Sequence, residues 1–308
     1  MKIKKWIAVC LAETVGLLAL TGCSNHQASR AVNEISFSLD GISEVAISYD
    51  EERVTFYESD SGRLVIKEYM TENKSRYYAR AEQGGGRISI SEGGKPFFKD
   101  GFSRWVEVYV PASYRENLTV STTEGDVDFF ALPLSLKALR VDSTAGTVSL
   151  NTVEAQNIHL STTRGRIEAD SLKADSIRID TTSGRFSCEN LDGYAAYTTT
   201  SGSAEIRSAV GSGDFRASNS GELRVTYTQV TGDLAFYNKN DDICLTLPAG
   251  LEFRFEAASK NGSIATSFQE CVSVEGRTAS GIIGGNPAIT VKAETNNGNI
   301  VVNQGNGQ

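Results

Sequence analysis

Along most of the chain, short runs of alternating apolar and polar residues meet at a recurring turn of small polar residues and glycine. The stretches STTRGRIEA, IRIDTTSGRF and TTTSGSAEI show this unit. An alternation with a period of two indicates a strand with one buried and one solvated face. The anchor residue of the turn recurs every 17–21 residues, at Gly125, Gly146, Gly165, Gly184, Gly202, Gly221, Asp241, Gly262, Gly281 and Gly298.

Two columns of residues keep a fixed offset from these ten anchors. The residues three positions before the anchor are all small and polar: Thr122, Ser143, Thr162, Thr181, Thr199, Ser218, Asn238, Ser259, Thr278 and Thr295. The residues two positions after it are all apolar: Val127, Val148, Ile167, Phe186, Ala204, Leu223, Ile243, Ile264, Ile283 and Ile300. A single copy cannot bury its apolar side, whereas stacked copies form one continuous core.

We therefore predict an all-β protein, a single-stranded parallel β-helix (β-solenoid) of about ten rungs over residues 115–303. Equivalent side chains would stack about 4.8 Å apart, and the small polar column would form a hydroxyl ladder. The glycines would provide a positive φ or a close backbone approach. The alternative, an antiparallel sandwich, gives no reason for one ladder to recur ten times, and right-handed coiling is the default for parallel crossovers.

Two copies depart from the pattern. Before Gly221, the apolar residues Phe215 and Ala217 are shifted by one position. Because a slip of one residue reverses the buried face, we expect a β-bulge there. The Gly281 copy, with GIIGGNP in place of an alternating run, is the weakest of the ten.

The segments outside the repeat receive separate assignments. Residues 34–114 lack the anchor but contain alternating runs, and we predict a β lead-in that caps the first rung and covers its strand edges. Residues 23–33 form a polar tether, and residues 304–308 form a tail.

The first 22 residues have the features of a lipoprotein signal peptide. Three lysines precede the apolar run Trp6–Leu20, and Leu-Thr-Gly leads directly to Cys23, as in a bacterial lipobox. The alternative is an uncleaved membrane helix. The run has 15 residues, fewer than the roughly 20 that a span needs, and it contains Glu13. We predict lipidation of Cys23 and attachment to the membrane through that lipid.

The net charge argues against one class of ligand, and the positions of the cysteines argue against one disulfide. Removal of residues 1–22 takes away a net charge of +2 from a chain of −8, which leaves −10. An acidic chain is poorly suited to binding nucleic acid. Cys188, Cys244 and Cys271 then remain beside the lipidated cysteine. The predicted register puts Cys188 inside and Cys244 outside, three rungs or roughly 14 Å apart, so these two should not form a disulfide.

The segment VEVYVPASYRENLTVSTTEGDVDF, Val106–Phe129, resembles the start of the repeat in a bacterial family of extracytoplasmic β-strand-repeat proteins. Members of that family carry the label of candidate adhesins of unknown function. They similarly close with a glycine-rich hairpin and a last rung like NGNI, here within Gly281–Val302. The resemblance covers nearly all of the mature chain. It implies a β-solenoid on a bacterial envelope and supplies no catalytic residue.

Candidate chemistry on the predicted outer face is sparse. Glu222 and Asp242 would lie on adjacent rungs with Asp241 next to them, where they could bind Ca²⁺, act as an acid–base pair, or be ordinary surface charge. Arg140, His159 and Arg178 would form a stripe that could attract an anionic glycan. Asp142 and Asp180, two residues further along each strand, would offset the arginine charges.

From these patterns we expect a non-enzymatic, lipid-anchored protein of the bacterial cell envelope, outside the cytoplasm. Its long outer side would serve as a platform for binding, adhesion or structure, with an envelope protein or a glycan as partner. The alternatives are a β-helix enzyme that acts on polysaccharide and an envelope-stress or signalling module. We expect no cofactor. The oligomeric state and the choice of envelope membrane stay open at this point.

Overall fold

The computed structural model describes residues 30–97 and 101–305, which form 22 strands in one sheet and a single 3₁₀ helix, Ser75–Tyr77. The strands before the repeats are β1 Asn33–Phe37, β2 Glu44–Ser48, β3 Arg53–Glu58, β4 Leu64–Met70, β5 Arg80–Gly84, β6 Arg87–Ser91 and β7 Arg104–Val110. The first strands of the repeats are β8 Asn117–Thr122, β9 Val127–Phe129, β10 Leu134–Ser143, β11 Thr147–Thr162, β12 Arg166–Thr181, β13 Arg185–Thr199, β14 Ser203–Ala217 and β15 Leu223–Asn238. The remaining strands are β16 Ile243–Leu247, β17 Phe253–Ser259, β18 Ile264–Thr266, β19 Val272–Glu275, β20 Thr278–Ile283, β21 Ile289–Thr295 and β22 Ile300–Gln304.

The repeats form a β-solenoid, as the sequence predicts. Strands β10 to β15 pair in parallel, each with the strand one repeat further on. In β11, alternate residues are buried, and the alternation is interrupted where two consecutive residues face outward, at 151–152 and 156–157. These interruptions are bends, so each turn of the coil has three faces around one continuous apolar core.

The hydroxyl ladder is present at its predicted place. Thr162, Thr181 and Thr199 pair in register on adjacent strands and are buried. The Thr181 hydroxyl donates to Thr199 Oγ1 over 2.8 Å, and that oxygen accepts the backbone N–H of Gly202 over 2.6 Å. The ladder therefore caps the turns as well as joining the rungs.

Close packing of the turns explains the glycine at most anchors, although Asp241 occupies one of them. A Cβ atom on Gly146 would lie 2.0 Å from the carbonyl oxygen of Gly125 in the next rung. No side chain fits at that distance, because the obstacle is backbone and cannot move aside.

In the Gly221 copy the structure corrects the predicted ladder. Ala217, not Ser218, pairs with Thr199 on one neighbouring strand and with Asn238 on the other. Ser218 is exposed in the turn. The alanine methyl group thus interrupts the row of polar side chains at this rung.

The β-bulge expected at this copy is also displaced. The pairing of β14 with β15 is regular from Gly213 to the end of β14, and its irregularities lie between Ile206 and Gly213. The rings of Phe215 and Phe236 stack with centroids 4.9 Å apart, which keeps the apolar face buried. The turn of this copy is one residue longer than the others, because Ala217 stands four residues before its anchor and not three. Within this longer turn, Gly221 has a φ of +113°.

The Gly281 copy is not a rung, contrary to the prediction. Gly281 lies in β20, which pairs antiparallel with β17 and with β19. The β19–β20 hairpin covers the outer edge of β17, which would otherwise expose unpaired backbone groups. Thr278, assigned to the ladder from the sequence, is exposed in this hairpin.

The last rung in sequence is not the last rung in the stack. Strand β21 lies between β15 and β17, and β22 lies between β16 and β18. The rung at Gly298 is therefore inserted between the rungs at Asp241 and Gly262. A Cβ atom on Gly262 would meet the Gly298 carbonyl oxygen, and one on Gly298 would meet that of Asp241.

The N-terminal end is also built out of sequence order. Strands β2 and β3 pair in parallel with β8 and β9 on one side and with β6 and β7 on the other. The predicted lead-in thus contributes two further layers of the stack. Strands β1, β4 and β5 close this end with antiparallel pairing. In the β2–β3 layer, Glu52 takes the anchor position, since a Cβ on Gly125 would meet its carbonyl oxygen.

Two sequence predictions, the signal peptide and the lipidation of Cys23, stay predictions. The signal peptide 1–22 and Cys23 lie outside the described residues. Of the residues that are described, none belongs to a helix with the length and apolar content of a membrane span.

Candidate binding surfaces

Arg140, His159 and Arg178 lie side by side on β10, β11 and β12, at the positions that the repeat predicts. The arginine charges are not free, however. Arg140 donates two hydrogen bonds to Asp142, over 2.6 and 2.9 Å, and Arg178 donates to Asp180 over 2.5 Å. The stripe is therefore a row of ion pairs and not a basic patch.

His159 lies between these pairs and contacts both of them. Arg140 Nη1 lies 2.7 Å from His159 Nδ1, and because a guanidinium can only donate, Nδ1 is the acceptor. Nε2 then carries the proton and donates to Asp180 over 2.9 Å. Partial burial would by itself raise the pKa of Asp180, but the hydrogen bonds from Arg178 and His159 outweigh it and hold that pKa below its usual value.

A polar groove of about 530 Å³ runs beside this stripe, along the edge where the turns stack. Its floor is a column of outward side chains from adjacent strands, which are paired in register: Ser91, Ser48, Ser121, Asp142 and Ser161. Turn hydroxyls form one wall: Thr123, Thr144 and Thr163. Carboxylates of Asp50 and Glu92 lie at the N-terminal end of the groove.

Hydroxyl groups in the groove repeat at the strand spacing of about 4.8 Å. Each serine hydroxyl both donates and accepts hydrogen bonds. Two floor residues already have fixed partners, since Asp142 is paired with Arg140 and also accepts from the Ser161 hydroxyl over 2.6 Å. The groove can therefore bind an extended, hydroxyl-rich molecule along its length.

The carboxylates proposed as a metal or acid–base site are committed to other contacts. Glu222 and Asp242 lie on adjacent rungs as predicted, but Glu222 pairs with Arg224. Asp241 accepts the backbone N–H of Gly221 over 2.6 Å. Asp242 accepts the backbone N–H of Asn299 over 2.7 Å and its side-chain amide over 3.1 Å. Within residues 30–97 and 101–305, no group of three or more His, Cys, Asp or Glu could hold a metal ion.

Cys188, Cys244 and Cys271 are free thiols in the structure. Cys188 is buried, and burial raises the pKa of its thiol to about 12, which makes it unreactive at neutral pH. Cys244 is half-buried, and Cys271 is exposed near the C-terminal end.

Sequence reasoning missed half of the groove. Ser48, Asp50, Ser91 and Glu92 belong to the predicted lead-in, which shows no anchor glycine, so nothing in the local pattern joins them to the repeat. The contact of His159 with Asp180 was also missed. It runs diagonally from one rung to the next, and spacing along the chain does not reveal it.

The fold and these surfaces define a β-solenoid with a polar groove along one edge. The chain belongs to the family described as Toastrack DUF4097, whose model matches residues 42–303. The resemblance to a family of candidate adhesins of unknown function is thereby confirmed. A comparison with curated proteins found none that matches this chain.

Solved structures that match this chain share little sequence with it. A candidate adhesin from Bacteroides fragilis is 9% identical, with 88% of this chain and 96% of that chain covered and a TM-score of 0.45. A candidate lipid-binding protein from Parabacteroides distasonis is 13% identical, with 89% and 96% covered and a TM-score of 0.43. A candidate adhesin from the same species is also 13% identical, with the same coverage and a TM-score of 0.40.

Proposed function

We propose that this protein is a non-enzymatic binding protein of the bacterial cell envelope that holds a glycan in the groove along its turn edge. The observation that carries the proposal is the column of serine side chains paired in register across adjacent strands. A polysaccharide presents hydroxyl groups at regular intervals, and a groove with hydroxyl groups at regular intervals can exchange hydrogen bonds with several sugar residues at once.

The contacts of the acidic residues favour binding over catalysis. A glycosidase needs two carboxyl groups on either side of the scissile bond. Asp241 and Asp242 are instead used to cap backbone N–H groups, and Glu222 is used in an ion pair. In the groove itself, Asp142 is paired with Arg140, and Glu92 is paired with Arg104 and Lys95. We therefore propose adhesion as the role of the groove.

Glycan binding can be tested on an array with a substitution that fills the groove. Ser121→Arg places a long side chain on the floor, whereas Ser187→Arg places the same side chain at an equally half-buried outward position on another face. We expect the first variant to lose at least tenfold in glycan affinity and the second to bind as the wild type does. Equal binding by both variants, or no glycan bound by the wild type, would contradict the proposal.

We also propose that the protein is held at the membrane by lipid on Cys23. In cells that produce the full chain, labelled palmitate should enter the wild type and not Cys23→Ala. The wild type should fractionate with membranes, and the variant should not. Unlabelled wild-type protein would rule out this anchor without affecting the glycan proposal.

A further inference from the structure

The outer face of the N-terminal cap carries a cluster of aromatic side chains around one carboxylate. Strands β3, β7 and β4 are adjacent there, and their outward residues pair in register. We name this cluster the cap patch: Tyr57, Tyr69, Trp105, Tyr109 and Glu107. All five are half-buried, and none belongs to the apolar core.

The rings form two stacks on either side of the carboxylate. Tyr69 and Trp105 lie almost parallel, with centroids 5.1 Å apart, and Tyr57 and Tyr109 stack at 5.4 Å. The phenols of Tyr69 and Tyr109 lean inward, and both donate to the same oxygen of Glu107, Oε2, over 2.8 Å.

The second carboxylate oxygen, Glu107 Oε1, accepts no hydrogen bond and forms no ion pair among the residues that the structure describes. Lys67 lies opposite Glu107 on β4, and its ammonium group is 4.6 Å from the centre of the Tyr109 ring. Partial burial, with a smaller contribution from the hydrogen bond to Glu107, raises the pKa of Tyr69 to about 12. Its phenol therefore stays protonated at neutral pH and keeps Oε2 occupied. The patch thus presents one open acceptor at the centre of four aromatic rings.

The outward column that contains Glu107 has no other carboxylate between aromatic pairs in the repeats. In the repeats, the column that contains Glu107 continues as Asp128, Ser149, Glu168 and Ser187. Cross-strand stacking of the rings stabilises the cap. Stacking alone, however, does not call for a carboxylate between the two pairs.

We propose that the cap patch is a binding site for a neutral or amino-bearing pyranose of a saccharide. A pyranose ring has apolar C–H surfaces that pack against aromatic side chains, and equatorial hydroxyl groups that would donate to Oε1. The negative charge of Glu107 favours hydroxyl and ammonium groups and repels a uronate or a phosphate. The site rests on the proposed function for its ligand class, a glycan, and adds a contact outside the groove.

A membrane surface is the competing occupant, because Tyr and Trp are also common at lipid headgroups. The patch lies close to the start of β1, where the tether enters the cap. The carboxylate argues against this occupant. Burial of the patch against a bilayer would remove water from Glu107 and from Lys67, two charged groups that form no ion pair with each other, at considerable cost in free energy.

The chain provides its own probe for this site. Its two tryptophans are Trp6, in the signal peptide, and Trp105, in the cap patch. A chain of residues 24–308 contains every described residue and has Trp105 as its only tryptophan. Tryptophan emission, excited at the red edge where tyrosine does not absorb, therefore reports the surroundings of Trp105.

The experiment is a fluorescence titration with chitosan and cello-oligosaccharides, with polygalacturonate as the anionic counterpart. We expect a saturable change in Trp105 emission with the neutral and amino saccharides and none with polygalacturonate. Glu107→Gln, which keeps the shape of the side chain, should weaken binding at least tenfold. Glu168→Gln, in the same outward column of the stack, should bind as the wild type does.

Three outcomes would overturn the cap site. They are no response to any of these saccharides, an equal response from Glu107→Gln, or a response to vesicles of phosphatidylcholine but not to sugars. Ser121→Arg separates the cap site from the groove. If that variant abolishes array binding but keeps the Trp105 titration, both sites stand. If the wild type binds glycans on the array without a change in Trp105 emission, the cap-site proposal is contradicted and the groove proposal is unaffected.

Discussion

The two ends of the stack meet the same requirement with different chemistry. At the N-terminal end, the buried guanidinium of Arg104 contacts Glu52 over 3.0 Å and also contacts Glu92, and it donates to the Tyr77 carbonyl oxygen over 2.7 Å. At the C-terminal end, aromatic rings close the core. The ring of Phe253 packs edge-on against Phe255 and Phe268, with centroids 6.3 and 5.2 Å apart.

This difference shows what the end of a solenoid requires. The backbone groups of its last strands must be hydrogen-bonded and its core must be covered, and different kinds of side chain can do this. Burying an ion pair requires the removal of water from both charges. Removing one partner of such a pair destabilises the protein more than replacing both partners with apolar residues. An aromatic end is stabilised in proportion to the volume that it fills. The N-terminal end should therefore be sensitive to charge and acid, and the C-terminal end to loss of volume.

The largest effect is expected from Arg104→Leu. This substitution removes one cation from the buried Glu52 and from the half-buried Glu92, and we expect the free energy of unfolding to fall by about 3–5 kcal/mol. Urea denaturation followed by circular dichroism measures the loss. Arg53→Leu is the control, because its pair with Asp126 is exposed and should contribute less than about 1 kcal/mol. Similar losses in both variants would show that the N-terminal end does not depend on its buried charge.

A somewhat smaller loss is expected from Phe268→Ala at the C-terminal end. The ring is 8% exposed and fills space against Phe253, so its removal should cost about 3 kcal/mol, the low end for a buried phenylalanine. The same urea measurement applies. Phe268→Leu should recover most of the loss, because it restores much of the volume. If leucine is no better than alanine, volume is not what closes this end.

Acid should separate the two ends further. Burial would raise the pKa of Glu52, but Arg104 and Lys95 outweigh it and hold that pKa below its usual value. The unfolded chain then binds the proton more readily, so the contribution of Glu52 is complete above about pH 4.5 and is lost as the pH falls through the folded value. The stability advantage of the wild type over Glu52→Gln should accordingly shrink on acidification.

The advantage of the wild type over Phe268→Ala should stay constant over the same pH range, since no titratable group is removed there. Urea midpoints at a series of pH values between 3 and 7 give both differences. A constant advantage over Glu52→Gln would contradict the role assigned to its charge.

The smallest effect concerns the thiols and leaves stability unchanged. Cys271, exposed at the C-terminal end, should react with a maleimide in the folded protein within minutes. Cys188 should react only after unfolding, because it is buried and burial raises its pKa to about 12. Mass spectrometry of labelled peptides distinguishes them. Early labelling of Cys188 would mean that the middle of the stack opens more readily than its ends.

The sequence was sufficient for the features that repeat from one rung to the next. The ladder of Thr162, Thr181 and Thr199 could be predicted because each step depends only on a local pattern of about 19 residues. The same spacing predicted that His159 lies between Arg140 and Arg178.

The order of the rungs could not be predicted in this way. Rungs at Gly262 and Gly298 have the same pattern of small polar and apolar residues, so either could lie next to the rung at Asp241. The choice depends on the β19–β20 hairpin, which is a tertiary contact. At the other end, Glu52 replaces the anchor glycine and conceals a layer that contributes half of the groove.

The insertion of β21–β22 between two earlier rungs has a consequence for biogenesis. A chain that emerges in N-to-C order, as from the ribosome, cannot complete its C-terminal end until its final residues have emerged. Until then, β17 could dock directly on β15, one layer short, and that premature arrangement would have to dissociate before the late segment could enter. Correct assembly thus waits for release of the whole polypeptide, and a protein truncated after the hairpin would be expected to settle one layer short.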